Sequence, residues 1–164
     1  HLVKAWSRTY ELPILITNCS NNYGPYQHQE KLIPTIIKNA ITNKEIPIYG
    51  NGNQIRDWLY VSDHIEAIKL VLNKGTLGET YNVGGNCEYK NIEVATIVCE
   101  TLDKIRPKNL GSYKSQIKYV KDRPGHDLRY AVNNNKISNE LGWKPKESFL
   151  SGIETTINWY LKNI

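Results

Sequence analysis

At 164 residues, 40% of them hydrophobic and 23% charged, the chain is long enough for one globular domain with a real core. Its formal net charge of +5 comes from lysines and arginines scattered singly, which describes a solvated surface rather than a nucleic-acid groove. Cysteines only at 19, 87 and 99 exclude a zinc site or disulfide framework, no apolar run approaches the roughly 18 residues of a membrane span, and the opening residues resemble no signal peptide; no metal, nucleic acid or membrane partner is expected, and a reducing cytosol fits best.

Residues 1–10 place Leu2, Val3, Ala5, Trp6 and Tyr10 at helical spacing, and Pro13 ends the pattern. The pattern opens in mid-helix, on His1 and in a chain without Met, so the sequence reads as an excerpt of a longer polypeptide. Residues 14–17 form a short apolar run suited to a strand covered on both faces. The polar stretch 18–26 then reads as a loop at the strand's carboxyl end, where open parallel sheets bind ligands. Residues 31–41 carry Ile33, Ile36, Ile37, Ala40 and Ile41 on one helical face.

The stretch Pro47-Ile-Tyr-Gly-Asn-Gly-Asn-Gln-Ile-Arg-Asp-Trp-Leu-Tyr-Val-Ser-Asp-His organises the rest. Gly50 and Gly52 allow positive φ and close backbone approach to a ligand. Short strands are expected at 46–49 and 55–61. Arg56 leaves the second as a fork of donors suited to phosphate, with an ion pair to Asp57 or Asp63 as the competing reading. Asp63 and Glu66 read as a capping pair for the next helix, marked by Ile65, Ile68, Val71 and Leu72 and stopped at Gly75.

A buried strand at 80–83 ends at Gly84-Gly85. Asn91 reads as the cap of a helix with Val94, Val98, Leu102 and Ile105 inward, closed by Pro107. Residues 109–115 read as loop and 117–120 as strand. Pro124-Gly125 makes a turn that presents Arg123 and His126 to one pocket. Two helices complete the chain, 135–141 capped by Gly142 and 149–161 with Leu150, Ile153, Ile157, Tyr160 and Leu161 on one side. Strands and helices alternate without repeats, which predicts an α/β layer architecture.

No Gly-rich fingerprint lies between a strand and a helix, so nothing here holds a dinucleotide pyrophosphate by itself. No Ser/His/Asp or Cys/His constellation stands out either. Cys19 reads as a small buried hydrophobe, and Trp58, Tyr60 and Trp159 as core aromatics.

Asn18-Cys-Ser-Asn-Asn-Tyr-Gly-Pro, the stretch from Pro47 to Val61, Tyr81-Asn-Val-Gly-Gly and Asp122-Arg-Pro-Gly-His-Asp together resemble the carboxyl-terminal half of the dTDP-glucose 4,6-dehydratases, extended short-chain dehydrogenases/reductases. The resemblance covers essentially the whole chain. The Asn-x-Tyr-Gly-Pro and Arg-Asp-Trp-x-x-Val elements are shared with related epimerases and decarboxylases, and residues 122–127 narrow the match.

The resemblance implies the last elements of a Rossmann-like parallel sheet interleaved with a smaller α/β substrate-binding lobe, NAD as cofactor, dTDP-glucose as substrate and a homodimer. It implies oxidation at the sugar's fourth carbon, loss of water across the fifth and sixth, and return of the hydride to the sixth. The family's Tyr-x-x-x-Lys and Asp-Glu groups match nothing here, so no catalytic residue is assigned. It places Asn21, Lys31, Leu32, Pro47, Ile48, Tyr49, Arg56, Asn91, Arg123 and His126 at the nucleotide sugar, with Pro47, Ile48 and Tyr49 at the base and Arg56 at the diphosphate, and Asn22 at the nicotinamide end of NAD. Three alternatives stay open: an epimerase or decarboxylase on another nucleotide sugar, a non-catalytic binding module, and a basic nucleic-acid binder. The segment alone is expected to fold poorly, because the sheet partners of its apolar strands are expected upstream.

Overall fold

The structure, a computed structural model, describes residues 1–163. Its elements run α1 (Leu2–Tyr10), β1 (Ile16–Cys19), β2 (Asn21–Tyr23), α2 (Leu32–Ile41), β3 (Ile46–Tyr49), β4 (Ile55–Tyr60), α3 (Val61–Lys74), β5 (Thr80–Val83), β6 (Glu88–Lys90), α4 (Asn91–Ile105), β7 (Ile117–Val120), β8 (Arg129–Tyr130), α5 (Asn135–Leu141) and α6 (Phe149–Asn163). A single 3₁₀ turn, Tyr113–Gln116, lies where loop is expected. Among the described residues, no helix is long and apolar enough to cross a membrane.

Three sets of strands result, and most pairings are parallel. β1 pairs with β5, so the two strands expected to need outside partners pair with each other. β3 pairs with β7. β4 takes β2 and β8 as parallel neighbours and β6 as an antiparallel one.

β4 separates two cores. Trp58 packs with α2, α4 and α6 through residues such as Ile36, Val98 and Ile157, while Leu59 packs with α3, β5 and α5 through Val71, Val83 and Ile137. Adjacent residues of one strand thus face opposite ways, as the period of two requires.

Several expectations shift. β1 begins at Ile16 rather than at 14, because its register is set by pairing Ile16 with Thr80, and an apolar run alone does not mark where pairing starts. Asn21–Tyr23 is a strand, not a loop. α3 starts at Val61, and Asp63 does not cap it: the Asp63 Oδ2 accepts the backbone N–H groups of Lys146 and Glu147, both at 2.9 Å, and tethers the approach to α6. Ile65, Ile68 and Leu72 are exposed, the buried side of α3 being Asp63, Ala67 and Val71. Leu150 also faces outward, and α1 buries none of its residues.

Candidate functional site

The site is built on one face of β4. β2 pairs with β4 so that Asn21 lies opposite Trp58 and Tyr23 opposite Tyr60, which puts Asn21, Trp58 and Arg56 on the same side of the sheet. Arg56 is 8% exposed. Its Nη1 donates to the Ile55 carbonyl at 2.7 Å and its Nη2 to the Asp127 carbonyl at 2.9 Å. Neither Asp57 nor Asp63 pairs with it: among the described residues, no carboxylate lies within salt-bridge distance of Arg56. A guanidinium taken out of water and held only by neutral carbonyls is a cation awaiting an anion.

Asp57, on the opposite face, is spoken for. Its two oxygens accept the backbone N–H groups of Gly85 and Cys87 at 3.0 and 2.8 Å. The Gly84-Gly85 segment lies so close that a Cβ on Gly85 would collide with the Trp58 carbonyl oxygen.

The loop after β7 brings a second group of polar side chains to the Arg56 face. Asp122 is its hub: Oδ1 lies 2.7 Å from Nδ1 of His126 and accepts the backbone N–H of Arg123 at 2.9 Å, while Oδ2 accepts Nε2 of Gln54 at 2.7 Å. The hydrogen bond from His126 is the largest influence holding the Asp122 carboxyl below its ordinary range. Gly50, at φ 58°, makes room for this hub, since a Cβ there would stand 2.8 Å from Asp122 Oδ2. The positive φ values expected at Gly50 and Gly52 are both present. Gly125, at φ 67°, turns the loop so that Arg123 and His126 line the same cavity.

That cavity, of about 460 Å³, is lined by Asn21, Lys31, Leu32, Pro47, Tyr49, Arg56, Asn91, Arg123 and His126 together with Glu30, Thr35 and Trp58. Nine of the residues expected at the nucleotide sugar therefore meet, from four separate stretches of chain. Ile48 does not join them: it is 1% exposed and its side chain belongs to the core beneath β3, as alternation with Pro47 and Tyr49 demands. Asn91 is not the cap of α4 but its first residue. Lys90 holds the cap position, and its backbone N–H donates to the Glu93 carboxylate at 2.8 Å. The Asn91 Oδ1 is buried without a hydrogen-bond partner, an acceptor left open to a donor.

Sequence reasoning missed Glu30, Thr35 and Asp122, and read Trp58 as a core aromatic although it also lines the cavity. Asp122 carries a signal of its own, an acid four residues before a histidine across a Pro-Gly turn.

A model of the GDP-mannose 4,6 dehydratase family matches residues 1–156. The chain belongs to that family. It is similar to the dTDP-glucose 4,6-dehydratase of Shigella flexneri, 61% identical over 99% of this chain and 45% of that protein. Two solved dTDP-glucose 4,6-dehydratases resemble it throughout. The Bacillus anthracis enzyme, in complex with NAD, has a TM-score of 0.85 and 48% identity over 99% of this chain and 49% of its own. The Streptomyces venezuelae enzyme, also with NAD bound, has a TM-score of 0.89 and 42% identity over 99% of this chain and 48% of its own. The chain thus spans about half the length of the relatives it matches.

In this member of the GDP-mannose 4,6 dehydratase family, Asn22 takes the other side of β2, opposite Leu59. It lines a separate hollow with Gly24, Pro25 and Gln27. Its Nδ2 donates to the Ser20 carbonyl, whereas its Oδ1 and the neighbouring Ser20 Oγ and Gln27 Oε1 are buried without partners. Unsatisfied oxygens such as those of Asn22 and Gln27, which both line the hollow, fit a donor-bearing ligand such as a carboxamide.

Proposed function

We propose that this chain is the substrate-holding half of an NAD-dependent dTDP-glucose 4,6-dehydratase, which converts dTDP-glucose to its 4-keto-6-deoxy product. The observation that carries the reading is Arg56, a buried guanidinium without a carboxylate partner among the described residues, in one cavity with Lys31, Arg123 and His126. Two linked phosphates supply the charge that this group lacks. The name of the relative at 61% identity supplies the reaction class.

In this account Arg56, Arg123, His126 and Lys31 hold the diphosphate, with Asn91 lining the cavity beside them. Pro47 and the half-exposed Tyr49 give the base a flat apolar surface. Asn21 and Leu32 orient the nucleoside and sugar. Asn22 holds the nicotinamide end of NAD. Bound there, NAD would supply the hydride acceptor and donor that oxidation at the sugar's fourth carbon and reduction at its sixth require. The family's Tyr-x-x-x-Lys and Asp-Glu groups match nothing among these residues, so the role proposed for them is to bind and orient.

A homodimer completes the proposal, supported by the uncovered Leu2, Val3, Trp6 and Tyr10 of α1; sedimentation of the full-length protein at twice the monomer mass is the expected result. The activity is tested by offering the full-length protein dTDP-glucose, UDP-glucose, GDP-glucose and GDP-mannose side by side and reading the 4-keto product in alkali. Turnover of dTDP-glucose well above the others is expected, and no product from it removes the proposal.

A further inference from the structure

Asp122 does more than shape a loop. Its carboxylate only accepts hydrogen bonds, so the 2.7 Å contact fixes the proton of the His126 ring on Nδ1 and leaves Nε2 for the cavity that His126 lines. The His126 side chain is 7% exposed, so water does little to satisfy Nε2. In the neutral ring Nε2 is an acceptor, which repels a phosphate oxygen; in the charged ring it is a donor, which binds one.

We propose that Asp122 is a positioning residue that makes His126 take up a proton when a nucleoside diphosphate enters, so that substrate binding is proton-linked. The inference rests on the cavity being a diphosphate site.

The charges around His126 agree with a coupled change. On its own loop stand Asp122, Arg123 and Asp127. From other elements Arg56 of β4, Lys31 and Glu30 before α2, and the Tyr49 hydroxyl of β3 line the same cavity. In the free site the three permanent cations Lys31, Arg56 and Arg123 oppose a fourth positive charge on the ring, with Asp122 as its counter-charge. Two phosphate charges reverse the sign of that field and favour the imidazolium. Asp122 then holds Nδ1–H by a charge-assisted bond while Nε2–H donates to phosphate.

Asp122→Asn isolates the charge from the shape. The Asn Oδ1 still accepts from Arg123 and His126. Gln54 adapts by turning its amide, because its Oε1 now has no partner and can accept from the new Nδ2.

The test uses the full-length protein and the methyl ester of thymidine diphosphate, in which neither phosphate titrates between about pH 6 and 9 and nothing can be oxidised. Calorimetric titration in buffers of different ionisation enthalpy counts the protons taken up. The wild type is expected to take up protons on binding near pH 8. His126→Gln loses the uptake at every pH. Asp122→Asn reduces it, weakens binding about tenfold near neutrality, and in turnover raises KM more than it lowers kcat. Tight binding without buffer dependence, or uptake unchanged in His126→Gln, overturns the proton linkage and leaves the diphosphate site standing. Wild-type uptake unchanged in Asp122→Asn removes Asp122 from the mechanism. No binding of the ester at all overturns the site itself, and this inference with it.

Discussion

The guanidinium of Arg56 donates through Nη2 to the backbone carbonyl of Asp127, 2.9 Å away and 71 residues on in sequence. One side chain thereby fixes where the 122–127 loop sits relative to β4, and brings Arg123 and His126 to its own cavity. The bond is to a neutral acceptor, so Arg56 keeps its charge for a ligand.

Arg56→Gln should therefore separate binding from folding. Loss of a buried charge-assisted fork at two phosphates is expected to weaken nucleotide-sugar affinity by about 100-fold or more, on the order of 3 kcal/mol. Stability of the unliganded protein should change by less than about 1 kcal/mol, because a desolvated cation is removed together with its two hydrogen bonds. Denaturant melts and substrate titration of the same variant check both halves.

Asp57 predicts the reverse pattern. Its removal in Asp57→Ala leaves the Gly85 and Cys87 N–H groups without their acceptor, at about 1–3 kcal/mol for each buried donor. A fall in stability of at least about 2 kcal/mol is expected from the denaturation midpoint, accompanied by weaker substrate binding only as the fold loosens.

Gly50 tests the link between the turn and the hub. Gly50→Ala forces a side chain onto a φ of 58° and against Asp122 Oδ2, so Asp122 must move and His126 with it. KM is expected to rise severalfold while the melting temperature falls by a few degrees, on the order of 1 kcal/mol. Gly142→Ala, at φ 73° but with nothing near its Cβ, should cost similar stability without the effect on KM.

Stability should be highest in a window around neutrality. Burial first, and nearby carboxylates second, push the Cys99 thiol up to about 12 and the Cys87 thiol up to about 11. The native thiols keep protons that the unfolded chain loses above about 9, so this stability is full below that pH and is lost as pH rises through 9 to 12. Burial lowers His64, so its native ring stays neutral where the unfolded ring gains a proton. That contribution is full above about 6.5 and declines as pH falls from there to the native value. Denaturant midpoints measured from pH 5 to 10 should fall on both sides, and alkylation at about pH 8 should leave Cys87 and Cys99 unmodified in the native protein.

Much of the site was legible because its residues sit at turns and strand ends, where Gly, Pro and Asn leave strong marks. Gly50, Gly52 and Gly125 have the positive φ that such turns require, and the Pro124-Gly125 turn does bring Arg123 and His126 together. The helices were legible by periodicity, but not their environment: of the residues that mark α3, Val71 is buried whereas Ile65, Ile68 and Leu72 are exposed. What pairing alone decides was not legible. β2, β6 and β8 are two or three residues long and largely polar, and exist because β4 offers them an edge. Asp63 looks like a cap until Lys146 and Glu147, more than eighty residues away, claim its carboxylate. Ile48 stands between two cavity residues, and only strand alternation shows that it faces the core.

The central claim is that the cavity on the Arg56 face of β4 holds a nucleoside diphosphate sugar. A crystal structure of the full-length protein with the methyl ester of thymidine diphosphate tests it most directly. The account predicts both phosphates against Arg56, Arg123 and His126 and the thymine on Tyr49. A nucleotide bound elsewhere, or bound here with no phosphate oxygen within hydrogen-bond reach of Arg56, would contradict it.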